Sequence, residues 1–149
     1  MQIQLPSETI FHAIESTIKE YRKFSQKNIS TTLKGMTIDQ GMVLLFLNEY
    51  PELTQKEIAI LVFKDNASMT RMVNNMVEKK YLHRSINNKD RRRFKLEITS
   101  KGQEVLEILP SIIQSNRTIA LAGVSPDEIH QLGALLNKIK TNITKNQLS

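Results

Sequence analysis

The chain has 149 residues, 40% of them apolar but only 5% aromatic, with no cysteine and a net charge of +6. That size fits one domain or two small lobes. The lack of cysteine excludes disulfides, thiolate metal sites and thiol redox sensing, and no apolar run approaches the roughly 18–20 residues of a membrane span. Residues 1–8 lack the basic and apolar regions of a signal peptide, so a soluble, cytoplasmic protein is expected.

In chain order, Ile10, Phe11, Ile14, Ile18, Tyr21 and Phe24 recur at helical spacing and predict an amphipathic helix from Ser7 to about Asn28, with a polar connection over residues 30–35. Thr37-Ile38-Asp39-Gln40 has the form of a capping box and opens a second helix that stops before Pro51. That helix is apolar on nearly all sides, as a helix buried on nearly all sides would be. Thr54-Gln55-Lys56-Glu57 repeats the box and opens a short third helix. Asp65 or Asn66 caps a fourth, which buries Met69, Met72, Val73, Met76 and Val77 and turns Ser68, Arg71, Asn74 and Asn75 outward. Two short helices joined by a tight turn, the second polar on one face, make a helix-turn-helix.

Residues 87–93 are polar and strongly basic and run into a strand with Phe94, Leu96 and Ile98 on one face and Arg91, Arg92 and Arg93 alternating ahead of them. A basic loop between two strands beside a recognition helix is a wing, a device that reaches DNA. Thr99 caps a long helix that Pro110 should kink or adjust locally and Gly123 ends. Ser125-Pro126-Asp127-Glu128 then opens the last helix, with Ser at the cap, Pro at the first helical position and Glu at the box position. The fold class expected is mainly α with a small β-wing (α+β). A winged helix-turn-helix lobe would span residues 37–98, and a helical lobe would form from residues 7–30 and 99–146, within a single domain 1–149. One monomer would struggle to cover the apolar stripes of the terminal helices, which points to a homodimer.

Charge is concentrated rather than diffuse. Residues 64–95 hold ten basic and three acidic side chains, a net +7, so the rest of the chain is close to neutral at −1. Such a cluster is the footprint of a phosphate-binding surface. Ser68, Thr70, Arg71 and Asn74 are the major-groove candidates, because Arg can bond guanine bidentately and Asn adenine. Lys64, Asn66 and Asn75 fit backbone contacts better. In the wing, Lys89, Arg91, Arg92 and Arg93 are the candidate contacts, and Asp90 has the position of a turn-forming residue in a hairpin tip. The three histidines are scattered, without metal-ligand spacing, and no nucleophile elbow, phosphate loop or zinc-protease motif is present, so neither an enzyme nor a metal or cofactor site is expected.

Three stretches resemble the MarR family of bacterial winged-helix regulators: Leu53-Thr54-Gln55-Lys56-Glu57-Ile58-Ala59, Ser68-Met69-Thr70-Arg71-Met72-Val73-Asn74-Asn75-Met76, and the run from Asp90 through Ile98-Thr99-Ser100-Lys101-Gly102. The last matches the family's Asp-x-Arg, strand, Leu-Thr-x-x-Gly pattern, with Ile98 for that leucine. The resemblance implies a homodimer on a palindromic double-stranded operator, with Arg92 entering the minor groove and Asp90 bracing a wing arginine. It implies repression by promoter occupancy, relieved by a small aromatic or anionic ligand. His12, Tyr21 and Arg22 on the first helix are the candidates to line that ligand's pocket. One departure is Lys80, which stands where the family usually has glycine after the recognition helix. The rivals are an effector-independent activator or architectural DNA binder, a protein-interaction module, and a small enzyme.

Overall fold

The computed structural model describes residues 3–148; Met1, Gln2 and Ser149, the ends of the expected 1–149 span, lie outside the described residues. The chain divides into two compact units, Met1–Asn116 and Arg117–Ser149.

In the first unit the helices are α1 (Ile10–Thr32), α2 (Ile38–Glu49), α3 (Gln55–Leu61) and α4 (Asn66–Glu78), followed by strands β1 (Leu82–Ile86) and β2 (Phe94–Ile98) and by α5, which starts at Ser100. Helix α1 begins and ends later than its periodicity predicts. A 3-10 turn occupies Pro6–Glu8, and the helix is capped by Thr9, whose hydroxyl accepts the His12 N–H. At the far end the expected polar connection is helical as far as Thr32. Its hydroxyls find partners without breaking the helix: Thr31 Oγ1 donates to the Lys27 carbonyl at 2.9 Å, and Ser30 Oγ accepts from Gln26 at 2.8 Å. Buried Ile29 anchors that turn. The capping boxes at Thr37 and Thr54 form as their sequences predict, each hydroxyl taking the N–H of the third helical residue.

Helix α2 is the centre of the core. Val43, Leu44 and Leu47 pack with Ile58, Met69, Val73, Met76, Leu82, Leu96, Val105 and Leu109, all buried. The two strands form an antiparallel hairpin in which Leu82 pairs with Ile98, Arg84 with Leu96 and Ile86 with Phe94. The apolar face predicted for β2 is buried at Leu96 and half-buried at Ile98, but Phe94 is 53% exposed.

Helix α4 ends in a left-handed cap at Lys80, with φ +64°. The Tyr81 N–H reaches back to the Met76 carbonyl at 2.9 Å and the Lys80 N–H to Val77 at 3.0 Å, which satisfies the helix's last carbonyls. Lys80 thus adopts the glycine-type conformation instead of avoiding it. Thr99 docks the start of α5 beneath this cap: its hydroxyl donates to the Lys80 and Tyr81 carbonyls and accepts the Gly102 N–H. A Cβ on Gly102 would stand 2.5 Å from the Tyr81 carbonyl oxygen and 2.7 Å from Ile98 Cγ2, so only glycine fits. Helix α5 (Ser100–Ala120) passes through Pro110 without interruption.

The second unit holds the end of α5, a turn at Gly123 with φ +81°, and α6 (Pro126–Gln147) behind the Ser125 capping box. No residue of α6 is buried, and Ile129, Leu132, Leu135, Leu136 and Ile143 are exposed along it.

Candidate nucleic-acid interface

The polar face of α4 stands opposite the core. At 3.6 residues per turn, fully buried Met69, Val73 and Met76 share one side, which puts Arg71 and Asn74 near the centre of the other. Asp65, not Asn66, is the cap. Its carboxylate accepts the Ser68 N–H at 2.7 Å and the Ser68 hydroxyl at 3.0 Å. These bonds hold the Asp65 carboxyl below the usual carboxylate range. Ser68 Oγ accepts in turn from Arg71 Nη2 at 3.1 Å, which leads that guanidinium back toward the helix start.

The flanking candidates are more engaged. The Thr70 hydroxyl donates to the Asn66 carbonyl at 2.9 Å and accepts from Gln55 Nε2 at 3.0 Å, so it ties α3 to α4. Asn75 turns toward α2, where its Oδ1 accepts from buried Gln40 at 2.9 Å. Asn74 Oδ1 accepts from Arg84 Nη2 at 2.8 Å, and the Arg84 guanidinium lies 5.1 Å from the centre of the Phe94 ring.

The wing tip is a built turn. The Asn87 N–H donates to the Arg93 carbonyl and the Arg93 N–H to the Asp90 carbonyl, both at 3.0 Å. Asn87 Oδ1 accepts the Lys89 and Asp90 N–H groups. Asp90 serves the turn and an arginine at once: Oδ1 accepts the Arg92 N–H at 3.0 Å, and Oδ2 lies 3.4 Å from Arg93 Nε. Arg91, Arg92 and Arg93 therefore sit in this turn, ahead of β2, and do not alternate along a strand as their spacing predicts. Among the described residues Lys89, Arg91 and Arg92 form no ion pair. Arg92 and Arg93 share a cleft with Gln55, Lys56, Ile60 and Asn66, so the wing and the start of α4 face one groove.

Two features have no counterpart in the sequence pattern. Asp39, at the start of α2, accepts from Arg22 Nη2 at 2.8 Å and lies 2.9 Å from Lys64 Nζ. It thereby links α1 to the helix-turn-helix turn and engages both cations. Burial pushes the Asp39 carboxyl up, but the hydrogen bonds and charges of Arg22 and Lys64 outweigh it and hold the carboxyl below its ordinary 3.8. The other is Arg84, one of the cations of the basic segment with no role evident from sequence. Its only signal is a cation in the strand directly after the recognition helix. Of the ligand candidates, His12 lines a groove with Glu15, Ser16, Lys19 and Glu20, Tyr21, nine residues on, falls on the opposite side of the helix, and Arg22 is engaged by Asp39.

Among the described residues no His, Asp and Glu cluster is arranged to hold a metal, and no helix is long and apolar enough to cross a membrane.

Residues 36–94, from the start of α2 through the wing, match the MarR family. Over that segment the chain is similar to the MarR family. Solved structures with this fold cover nearly all of it. BpsR of Bordetella bronchiseptica, described with its regulation of DNA binding by 6-hydroxynicotinic acid, superposes with a TM-score of 0.82 at 19% identity, over 93% of this chain and 98% of that one. MepR of S. aureus, solved with DNA, gives 0.81 at 22% identity over 90% and 98%. A mutant E. coli MarR complexed with operator DNA gives 0.81 at 22% identity over 92% and 99%. The segment similar to the family holds α4 and the wing turn.

Proposed function

We propose that this protein is a MarR-family regulator: a homodimeric, sequence-specific repressor that occupies a palindromic operator in the cytoplasm and is released by a small aromatic or anionic ligand. One observation carries the DNA-binding reading. Arg71 and Asn74 on the open face of α4 and the unpaired Arg91 and Arg92 of the wing belong to one unit, in the segment that holds the chain's excess positive charge. Phosphate neutralisation would supply affinity, α4 would read base edges in the major groove, and Arg92 would enter the flanking minor groove.

The dimer is supported by exposed Ile10, Phe11 and Ile18 on α1 and by the bare apolar stripe of α6. Pairing two recognition helices about one helical turn apart suits a palindrome. The effector is supported by analogy with BpsR alone, and of His12, Tyr21 and Arg22 it is Arg22 that offers a permanent cation to an anionic ligand, in competition with Asp39. Such a ligand must bind the released conformation more tightly than the DNA-bound one.

The test is the salt dependence of binding to duplex DNA. A dimer neutralising six to ten phosphates should lose roughly three to five orders of magnitude in affinity between 50 and 200 mM salt. A flat dependence would favour a protein-interaction module. Steep dependence without sequence preference would favour the architectural binder.

A further inference from the structure

The position of Arg84 points to a role beyond adding positive charge. It lies in the middle of β1, half-buried, directly after the recognition helix and opposite Leu96 of the wing strand. Two groups hold it. Its Nη2 donates to Asn74 Oδ1 at 2.8 Å, and its cationic plane lies over the Phe94 ring at 5.1 Å. Asn74 belongs to the exposed face of α4, and Phe94 is the first residue of β2, next to Arg93 of the wing turn. One guanidinium thus spans the recognition helix and the root of the wing.

Asn74 matters because its amide is ambiguous. Its terminal torsion has two near-equivalent states, one turning the carbonyl oxygen and the other the NH2 group toward a given neighbour. A guanidinium has five donors and no acceptor, so beside Arg84 only the state with the oxygen toward Arg84 forms a bond. That leaves the Nδ2 donors for the groove. Arg84 is itself poorly placed to meet DNA: its Nε is buried without a hydrogen-bond partner and its Nη2 is engaged. Among the described residues no carboxylate forms an ion pair with it, so Asn74 and Phe94 are its partners rather than a charge-neutralising acid. We propose that Arg84 is a positioning residue that sets base preference through Asn74, by fixing the orientation of the Asn74 amide while anchored on Phe94, without itself contacting DNA. This rests on the DNA-binding reading above.

Arg84→Lys tests it, because lysine keeps the charge but lacks the planar fork needed to stack and to bond Asn74 together. Wild type, Arg84→Lys, Asn74→Ala and the double variant are each run through selection from a random DNA pool, and their affinities for the selected and a scrambled duplex are titrated against salt. Arg84→Lys should leave scrambled-duplex affinity and the salt slope unchanged. It should cut the preference for the selected site about tenfold, the order of one mismatched base pair. The lost preference should fall at the same step of each half-site that Asn74→Ala flattens, and the double variant should be no worse than Asn74→Ala alone. Phe94→Leu, which removes the aromatic platform only, should weaken preference at that same step and serves as the readout if Arg84→Lys does not fold. A changed salt slope with additive losses would mean that Arg84 meets phosphate directly and would overturn the proposal. An unaltered motif in both variants would overturn it while leaving the DNA-binding reading intact. Absence of any wild-type motif would overturn both this proposal and sequence-specific recognition.

Discussion

Arg71 and Arg92 carry the same charge but stand in different settings, and their variants should separate. Arg71 lies on the outward face of α4, led toward the helix start by Ser68; Arg92 sits in the wing turn, its backbone N–H held by Asp90. Arg71→Ala should cost about 1–3 kcal/mol of discrimination at one base pair per half-site, whereas Arg92→Ala should weaken binding across sequences and lower the salt slope by about one per protomer. Competitive titration on matched and mismatched duplexes distinguishes them, and equal, small effects from both would contradict this division of roles. Lys80 is a residue in conflict with its backbone, at φ +64°. Lys80→Gly should raise stability by about 1 kcal/mol in urea unfolding, since a left-handed non-glycine residue costs that order; a lower midpoint would mean that its side chain contributes more than its strain removes. Asp39 has a depressed carboxyl pKa, relative to 3.8, because Arg22 and Lys64 outweigh its burial. A folded-state pKa below the unfolded one contributes stability that is fully present above about pH 4 and is lost as pH falls through the folded value. Asp39→Asn should therefore show its deficit at about pH 5–7 and converge on wild type below about pH 4, as followed by urea midpoints across that range.

Among the elements, the helix starts were legible because they are local. The boxes at Thr37, Thr54 and Ser125 each close within three residues, and all three form. What needs tertiary contact was not legible. Nothing in the sequence links Asp39 to Lys64 or Asn74 to Arg84, because those bonds depend on how helices and hairpin pack. The wing arginines depart from their expected alternation for a related reason: a run of like residues carries no burial signal, and the turn is made by Asn87 and Asp90 side chains capping backbone N–H groups. Gly102 shows the reverse case, where a family pattern is visible in sequence and its cause is not. The cause is the approach of α5 to the Tyr81 carbonyl and Ile98. Gly102→Ala should destabilise by about 3 kcal/mol or more, the upper end of overpacking costs, while Gly133→Ala in α6, with open space around it, should be neutral or mildly stabilising. Thermal unfolding of the two variants side by side checks this.

For the whole molecule, symmetric recognition requires two copies. A single chain leaves the apolar positions of α6 and the first turns of α1 in water, and one recognition helix reads only half a palindrome. Leu135→Asp on α6 should shift sedimentation toward monomer and reduce operator affinity together; loss of affinity in a protein that remains dimeric would place α6 elsewhere in the mechanism. Whether the winged unit reads DNA sequence as a symmetric pair is decided by selecting bound duplexes from a random pool with the purified full chain at near-physiological salt. The expected product is a palindrome whose half-sites lie about 10 bp apart, centre to centre. Salt-sensitive binding that enriches no motif would contradict sequence-specific recognition by a symmetric dimer.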